Sequence, residues 1–179
     1  MNAKKNILSV ILFFFSLASF SQTASIYGIP FGSSFTYVEK VLDQKLLQGK
    51  YINYDQSILE YHDVNLAGII FGSLIIEFNN VGYDNIMSKA QFVSCYKSNI
   101  TQLKKDRDEL FKKLSQKYSF VQPYINPIGF KSYKFGFNKS AIVGNLSVSI
   151  LEKEQSSFGI DYYYLDLRYS PNFSDSSDL

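Results

Sequence analysis

Tyr162-Tyr163-Tyr164-Leu165-Asp166-Leu167-Arg168-Tyr169 completes the candidate strand Ile160 to Tyr169, and its alternation sets what the rest of the chain must build. In extended backbone, successive side chains point to opposite faces. Tyr163, Leu165, Leu167 and Tyr169 therefore share one face, which asks for a core. Tyr162, Tyr164, Asp166 and Arg168 share the other, a tyrosine-rich surface with an adjacent acid and base. Tyrosine joins a large apolar ring to a polar tip, a combination suited to interfaces, so these four are the candidate partner-binding residues.

The same period continues upstream. Asn145 to Leu151 alternates Leu146, Val148 and Ile150 with serines, and Phe130 to Phe137 alternates aromatics with Lys131, Lys134 and Gly136. Downstream, Pro171 stops the strand and 174–179 reads as a frayed tail. Before Pro123 and Pro127 the period changes to that of a helix. It begins near Ser98-Asn99 and places Ile100, Leu103, Leu110, Phe111, Leu114 and Tyr118 on one face. Its run Lys104-Lys105-Asp106-Arg107-Asp108-Glu109 alternates in sign and reads as a solvated face, not a nucleic-acid surface.

The first half has a similar order. A turn-rich stretch, Tyr27 to Gly32, leads to Ser33 and Ser34, either able to cap a helix whose stripe is Phe35, Val38, Val41, Leu42 and Leu46 and which Gly49 can end. Three strand candidates follow: Ile58 to Tyr61, Leu66 to Phe78 and Ile86 to Tyr96. They are separated by a weak turn at Asp63 to Asn65 and a clear loop at Asn79 to Asn85. Helix, three strands, helix, three strands predicts an α+β fold with antiparallel sheet and helices packed on one face. The reading is a single domain, 22–173, divisible into two tandem helix-plus-three-strand units, 26–97 and 98–173. The order is compatible with one sheet or with two.

Residues 1–21 carry Lys4 and Lys5, an apolar run from Ile7 to Phe20 and small residues at Ser19 and Ser21, the layout of a secretory signal peptide cleaved before Gln22. The run is shorter than the roughly 20 residues that span a bilayer, and no later stretch offers a span, so a secreted or periplasmic mature chain is expected. Removing Lys4 and Lys5 from the 18 basic residues balances the 16 acidic ones, which gives no reason to expect a polyanion partner such as nucleic acid. With one cysteine, Cys95, no intramolecular disulfide can form, and hydrophobic burial must hold the fold. Cys95 shares strand parity with Val93 and reads as a core residue.

Gly28-Ile29-Pro30-Phe31-Gly32-Ser33-Ser34-Phe35-Thr36-Tyr37-Val38-Glu39-Lys40-Val41-Leu42 places a glycine turn and a small polar cap before a helix with a central valine. This resembles the helix start of small secreted bacterial proteins, among them the beta-lactamase-inhibitor-like fold of tandem helix-plus-sheet units and small lipoproteins of outer-membrane assembly. The chain lacks the lipidation cysteine of the lipoproteins and the disulfide cysteines of the inhibitor, so neither anchoring nor inhibition carries over. The resemblance implies a noncatalytic binding or assembly role.

The sequence offers few groups for chemistry. His62 is the only histidine, beside Asp63 and near Glu60 and Asp55. In a strand it shares a face with Glu60 and Val64 while Asp63 joins Tyr61 on the other, which reads as a surface histidine. No HExxH, CxxC, EF-hand loop, GxGxxG or GxxxxGK[ST] spacing occurs. No catalytic, metal or cofactor-binding residue is assigned, and no cofactor is expected. The expected function is an exported, noncatalytic module binding a protein or cell-envelope component through a tyrosine-rich sheet face; Tyr51, Tyr54, Tyr124 and Tyr133 are further tyrosines beyond the needs of a core. The alternative is a small envelope enzyme using His62 with nearby acids or Cys95. Oligomeric state is not readable from the chain.

Overall fold

A computed structural model describes residues 24–46, 49–53, 55–97, 100–150 and 162–171. The signal segment, Tyr54 and the tail lie outside the described residues. In chain order, a small hairpin of β1 (Ser25–Ile26) and β2 (Ile29–Pro30) leads into α1 (Phe35–Asp43). A meander follows: β3 (Lys50–Ile52), β4 (Ile58–Leu66), β5 (Ile69–Val81) and β6 (Asp84–Val93). Then α2 (Ile100–Lys117) precedes a second meander of β7 (Phe120–Ile125), β8 (Lys131–Asn138), β9 (Ala141–Ile150) and β10 (Tyr163–Tyr169). The last strands of the two meanders pair with each other, giving one eight-stranded antiparallel sheet of order β3-β4-β5-β6-β10-β9-β8-β7.

This corrects the α+β expectation of two helix-plus-three-strand units. The protein is mostly β, and its eight long-sheet strands form one continuous layer. Besides the two-residue strands β1 and β2, the strands that sequence periodicity missed are the two edges of this sheet. β3 has three residues, too few to show a period. β7 contains Pro123, which reads as a breaker but is tolerated at an edge, where one side of the strand needs no donor. The turn between β4 and β5 is also displaced from Asp63–Asn65. It sits at Ala67 and Gly68, both with positive φ (57° and 85°), and Asn65 Oδ1 accepts the Gly68 N–H at 3.0 Å.

The core lies on one face of the sheet. Across the strands, Leu59, Ile76, Ala90, Tyr169, Gly144 and Phe135 stand in one cross-strand row, and Tyr61, Leu74, Phe92, Leu167, Leu146 and Tyr133 in the next. All the side chains in these rows are buried. Gly144 is the gap that makes the first row possible. A Cβ there would sit 2.1 Å from Arg168 O and 2.6 Å from Phe135 Cζ, so the Phe135 ring occupies the space a side chain would need.

Both helices cover this face. In α1, Phe35, Val38 and Leu42 are buried, Phe35 meets the Phe78 ring at 5.0 Å, and the Tyr61 hydroxyl donates to Asp43 Oδ1 at 2.5 Å. Lys50 Nζ, on the edge strand, reaches Glu39 at 2.7 Å and Asp43 at 2.8 Å. The Lys50 ammonium first, and the Tyr61 hydroxyl second, hold the Asp43 carboxyl below the usual carboxylate range. Ser34 occupies the N-cap position without a side-chain cap bond; the helix start is instead strapped to β6 by Met87 N–H to Ser33 O at 2.9 Å.

In α2, Leu103, Leu110 and Leu114 are buried and Phe111 stacks on Tyr133 at 4.3 Å. Arg107, expected in a solvated run, is buried at 6% exposure. It lies four residues after Leu103, on the apolar stripe, and is accommodated because its Nη1 donates to Lys131 O at 2.9 Å while Nε and Nη2 engage Asp108. Just beyond the helix, Tyr118 packs on Phe135 at 5.0 Å; its buried hydroxyl has no hydrogen-bond partner among the described residues.

One irregularity alters the reading of β4. Leu59 and Tyr61 are buried, yet the next buried residue is Val64; on β5, burial likewise passes from Leu74 to Phe71. Asp63 has φ 52° and lies between the pairs His62↔Ser73 and Val64↔Phe71, level with Gly72. A left-handed residue breaks the pleat, so the strand pair exchanges which parity it buries. His62 and Val64 consequently do not share an environment: His62 is exposed and Val64 is core.

Candidate functional site

Opposite the helices, the sheet carries a row in continuous register that is polar at every position but one, Ile75. From one edge to the other it runs Tyr51, Glu60, Ile75, Gln91, Arg168, Asn145, Lys134 and Gln122, one residue from each strand. A second row places His62, Ser73, Val93, Asp166 and Ser147 side by side, and Tyr164 stands opposite Ser149. The period of two that buries Leu165 and Leu167 thus sends Tyr164, Asp166 and Arg168 to this face, at the centre of the sheet.

Asp166 is 1% exposed. Its Oδ1 accepts from Gln91 Nε2 at 3.0 Å and its Oδ2 accepts from Arg168 Nε at 2.8 Å. Burial pushes the Asp166 carboxyl above the usual aspartate range, opposed by the Arg168 charge and by both hydrogen bonds. The Arg168 side chain is 48% exposed, so one end of the pair is sealed and the other meets solvent. Tyr164 is half-buried and meets the Tyr96 ring edge-on at 5.5 Å. Burial, and secondarily the Asp166 charge, raise the Tyr164 phenol. Tyr162 is half-buried just before the strand, and no described contact ties it to the other three.

Beside Asp166 the face sinks into a cavity of about 250 Å³. Its polar lining is Asp166, Arg168, Asn145, Ser147, Ser149 and Asn126, and its apolar lining is Tyr124, Pro127, Ile128 and Ile150. The Tyr124 hydroxyl donates to Asn145 Oδ1 at 2.7 Å, and Asn126 Nδ2 donates to Val148 O at 2.8 Å, which fixes the loop after β7 against β9. Ser147 Oγ and Ser149 Oγ lie 3.5 Å apart. Gln91, Asn145 and Asn126 could not be named from the sequence, because their place in the site depends on which strands meet. The serines had a signal: the polar half of the alternation in Asn145 to Leu151.

Of the other groups singled out for chemistry, the structure brings His62 and Glu60 together with Ser73. His62 Nδ1 is 3.7 Å from Glu60 Oε1 and 3.4 Å from Ser73 Oγ, and Ser73 donates to Glu60 at 2.6 Å. Asp63 is exposed at the pleat reversal, and Asp55 is exposed in the β3–β4 turn, where its carboxylate accepts the Ser57 N–H at 3.1 Å. Cys95 is exposed, which corrects the expectation of a core thiol. It does share parity with Val93, but the core on β6 is the face of Ala90 and Phe92, and Ser94 takes the buried position by donating its N–H to Leu165 O. Tyr133, read as a surplus tyrosine, is 3% exposed and belongs to the core, whereas Tyr51 is exposed and Tyr124 lines the cavity. No set of three or more His, Cys, Asp or Glu side chains among the described residues is arranged to hold a metal ion. No helix among them is long and apolar enough to cross a membrane.

The arrangement is a hydrogen-bonding surface with a sealed carboxylate at its centre. Compared with protein-family models, curated proteins and solved structures, the chain matches none.

Proposed function

We propose that the protein is an exported, noncatalytic module that binds a protein or cell-envelope component through the helix-free face of its sheet. The observation that carries this reading is the row in register through all eight strands, polar at every position but Ile75, with Arg168 at its middle and Asp166 and Tyr164 beside it on the same strand. A sheet face needed only for solubility has no use for a buried carboxylate, since burying a charge is costly even when it is paired. Export rests on the signal-like residues 1–21.

The test is quantitative capture from envelope extract with immobilised protein. Tyr164→Ala and Arg168→Glu are compared with Lys112→Glu, a change on the exposed side of α2. The expected result is a partner retained by the wild type and by Lys112→Glu and lost from both sheet-face variants. Equal recovery on all four proteins, or none on any, refutes the reading.

A further inference from the structure

The geometry points to the cavity beside Asp166 as a binding site for a neutral, hydroxyl-bearing ring, a single sugar unit presented free or at the end of a glycan. This rests on the helix-free face being the binding face, and specifies its ligand.

The argument begins with charge. Asp166 and Arg168 form one ion pair at the cavity wall, with Nε to Oδ2 at 2.8 Å. An anionic ligand reaching Arg168 there comes against the Asp166 carboxylate, and a cationic ligand reaching Asp166 comes against the guanidinium. A hydroxyl avoids both conflicts, because it is uncharged and can accept from an N–H while donating to a serine oxygen such as Ser147 or Ser149. The atoms for that exchange are present. Asp166 is sealed, accepting from Gln91 and Arg168, so its part is to hold the guanidinium at the cavity wall and not to meet the ligand. Arg168 uses Nε for Asp166, and its Nη groups have no hydrogen-bond partner among the described residues. Asn145 accepts from Tyr124 through Oδ1, leaving its amide N–H groups as donors.

Shape agrees with charge. The lining mixes hydrogen-bonding groups with the apolar surface of Tyr124, Pro127, Ile128 and Ile150. A pyranose has the same mixture, with hydroxyls around the rim and C–H groups on its faces. At about 250 Å³ the volume falls just below the roughly 300–1,000 Å³ of small-molecule sites and suits one ring. Asp166, the anchor, is 1% exposed and held from two strands, so the site is formed before a ligand arrives.

The experiment is ¹H–¹⁵N NMR titration of the protein purified from cells expressing the full chain. The probes are glucose, galactose, mannose and N-acetylglucosamine, then the corresponding disaccharides, with acetate and ethylammonium as charged probes. The expected result is saturable shifts at Asn145, Ser147 and Asp166 amides with at least one sugar. Arg168→Gln and Asn145→Ala, with otherwise unchanged spectra, should weaken it at least tenfold, and Lys112→Gln should not. A disaccharide binding tighter than its monosaccharide identifies a glycan end as the source; the reverse identifies the free sugar. Absence of saturable shifts with every sugar, tighter binding of either charged probe, or indifference to Arg168→Gln and Asn145→Ala overturns the proposal. If envelope capture still depends on Tyr164 and Arg168 while no sugar binds, the ligand assignment fails and the binding face stands.

Discussion

Replacing Gly144 by alanine adds one methyl group at the position where the second meander is tightest. A Cβ there lies 2.1 Å from the Arg168 carbonyl oxygen, 2.6 Å from Phe135 Cζ and 3.1 Å from the Arg168 carbonyl carbon, whereas ordinary contact begins at 3.4 Å. The Phe135 ring is hemmed by Tyr118 and Tyr169, whose rings lie 5.0 Å and 5.3 Å from it. Relief therefore requires the β9 and β10 backbones to separate by about an ångström at the Arg168 peptide, in the sheet's central region. Core overpacking typically costs about 1–3 kcal/mol, and a clash with backbone belongs at or above the top of that range. We expect Gly144→Ala to lose about 3 kcal/mol or more in urea unfolding, a fall in Tm of roughly 6–12 °C for a domain of this size. Gly72→Ala is the control, because its nearest neighbour is the Cys95 sulfur at 3.2 Å, on an exposed side chain that can move; it should lose less than about 1 kcal/mol. A Gly144→Ala protein within 1 kcal/mol of wild type would refute the close-packed row.

Tyr118→Phe removes a buried hydroxyl without a hydrogen bond among the described residues, so urea unfolding should show no loss or a gain of about 1 kcal/mol; a loss above that indicates a partner for the hydroxyl. Tyr61→Phe removes the bond to Asp43 and should cost about 1 kcal/mol at neutral pH. Because Asp43 is held below its ordinary range, its contribution is present above about pH 4 and lost as pH falls through the depressed value, so the variant's deficit should shrink in acid. A deficit constant down to pH 2 contradicts this. Asp166 has the opposite sign: its raised carboxyl holds a proton in the native state to higher pH than when unfolded. Its contribution therefore makes stability fall as pH rises from about 4, and Asp166→Asn, compared pH by pH with wild type, should remove that fall. Identical pH profiles would count against a sealed carboxylate. Finally, native protein should react with one equivalent of a thiol reagent such as DTNB at Cys95, as fast as after unfolding to within about tenfold; protection until unfolding would mean the thiol is covered.

How far the chain could be read depended on whether a feature is local. The face assignment of β10 was legible because alternation is a property of one strand, and Leu165, Leu167 and Tyr169 are buried while Arg168 is exposed; Asp166, read with Arg168 as part of a surface, is instead buried by its neighbours on adjacent strands. α1 was legible from its stripe, although the backbone leaves the helix at Gln44, before Leu46. What failed was of three kinds. Lys50–Ile52 is too short to carry a period, and Pro123 disguised β7, so each meander lost its edge and the class was misjudged. Asp63 reverses the pleat through a backbone angle that no composition rule forecasts for aspartate in a strand. Cys95 was placed by correct parity but on the wrong face, since parity says which residues stand together and not where the helices lie. The candidate site shows the same division. Tyr164, Asp166 and Arg168 came from one strand, while Gln91 and Asn145 came from neighbours that only the sheet order supplies.

The two meanders are joined in the sheet by β6 and β10, and the Gln91–Asp166 hydrogen bond crosses that seam over 75 residues of chain. During synthesis the N-terminal half emerges first and can close its own hairpins, but Gln91 then has nothing to donate to, and half of the polar face is missing. Contacts this distant in sequence form late and slowly, because the loop they close must first be ordered. A nascent or truncated chain ending before β10 thus exposes the flank of β6 as an unpaired strand. The face proposed for binding is assembled only when β10 pairs with β6, so binding would also report that β10 has been made and has docked.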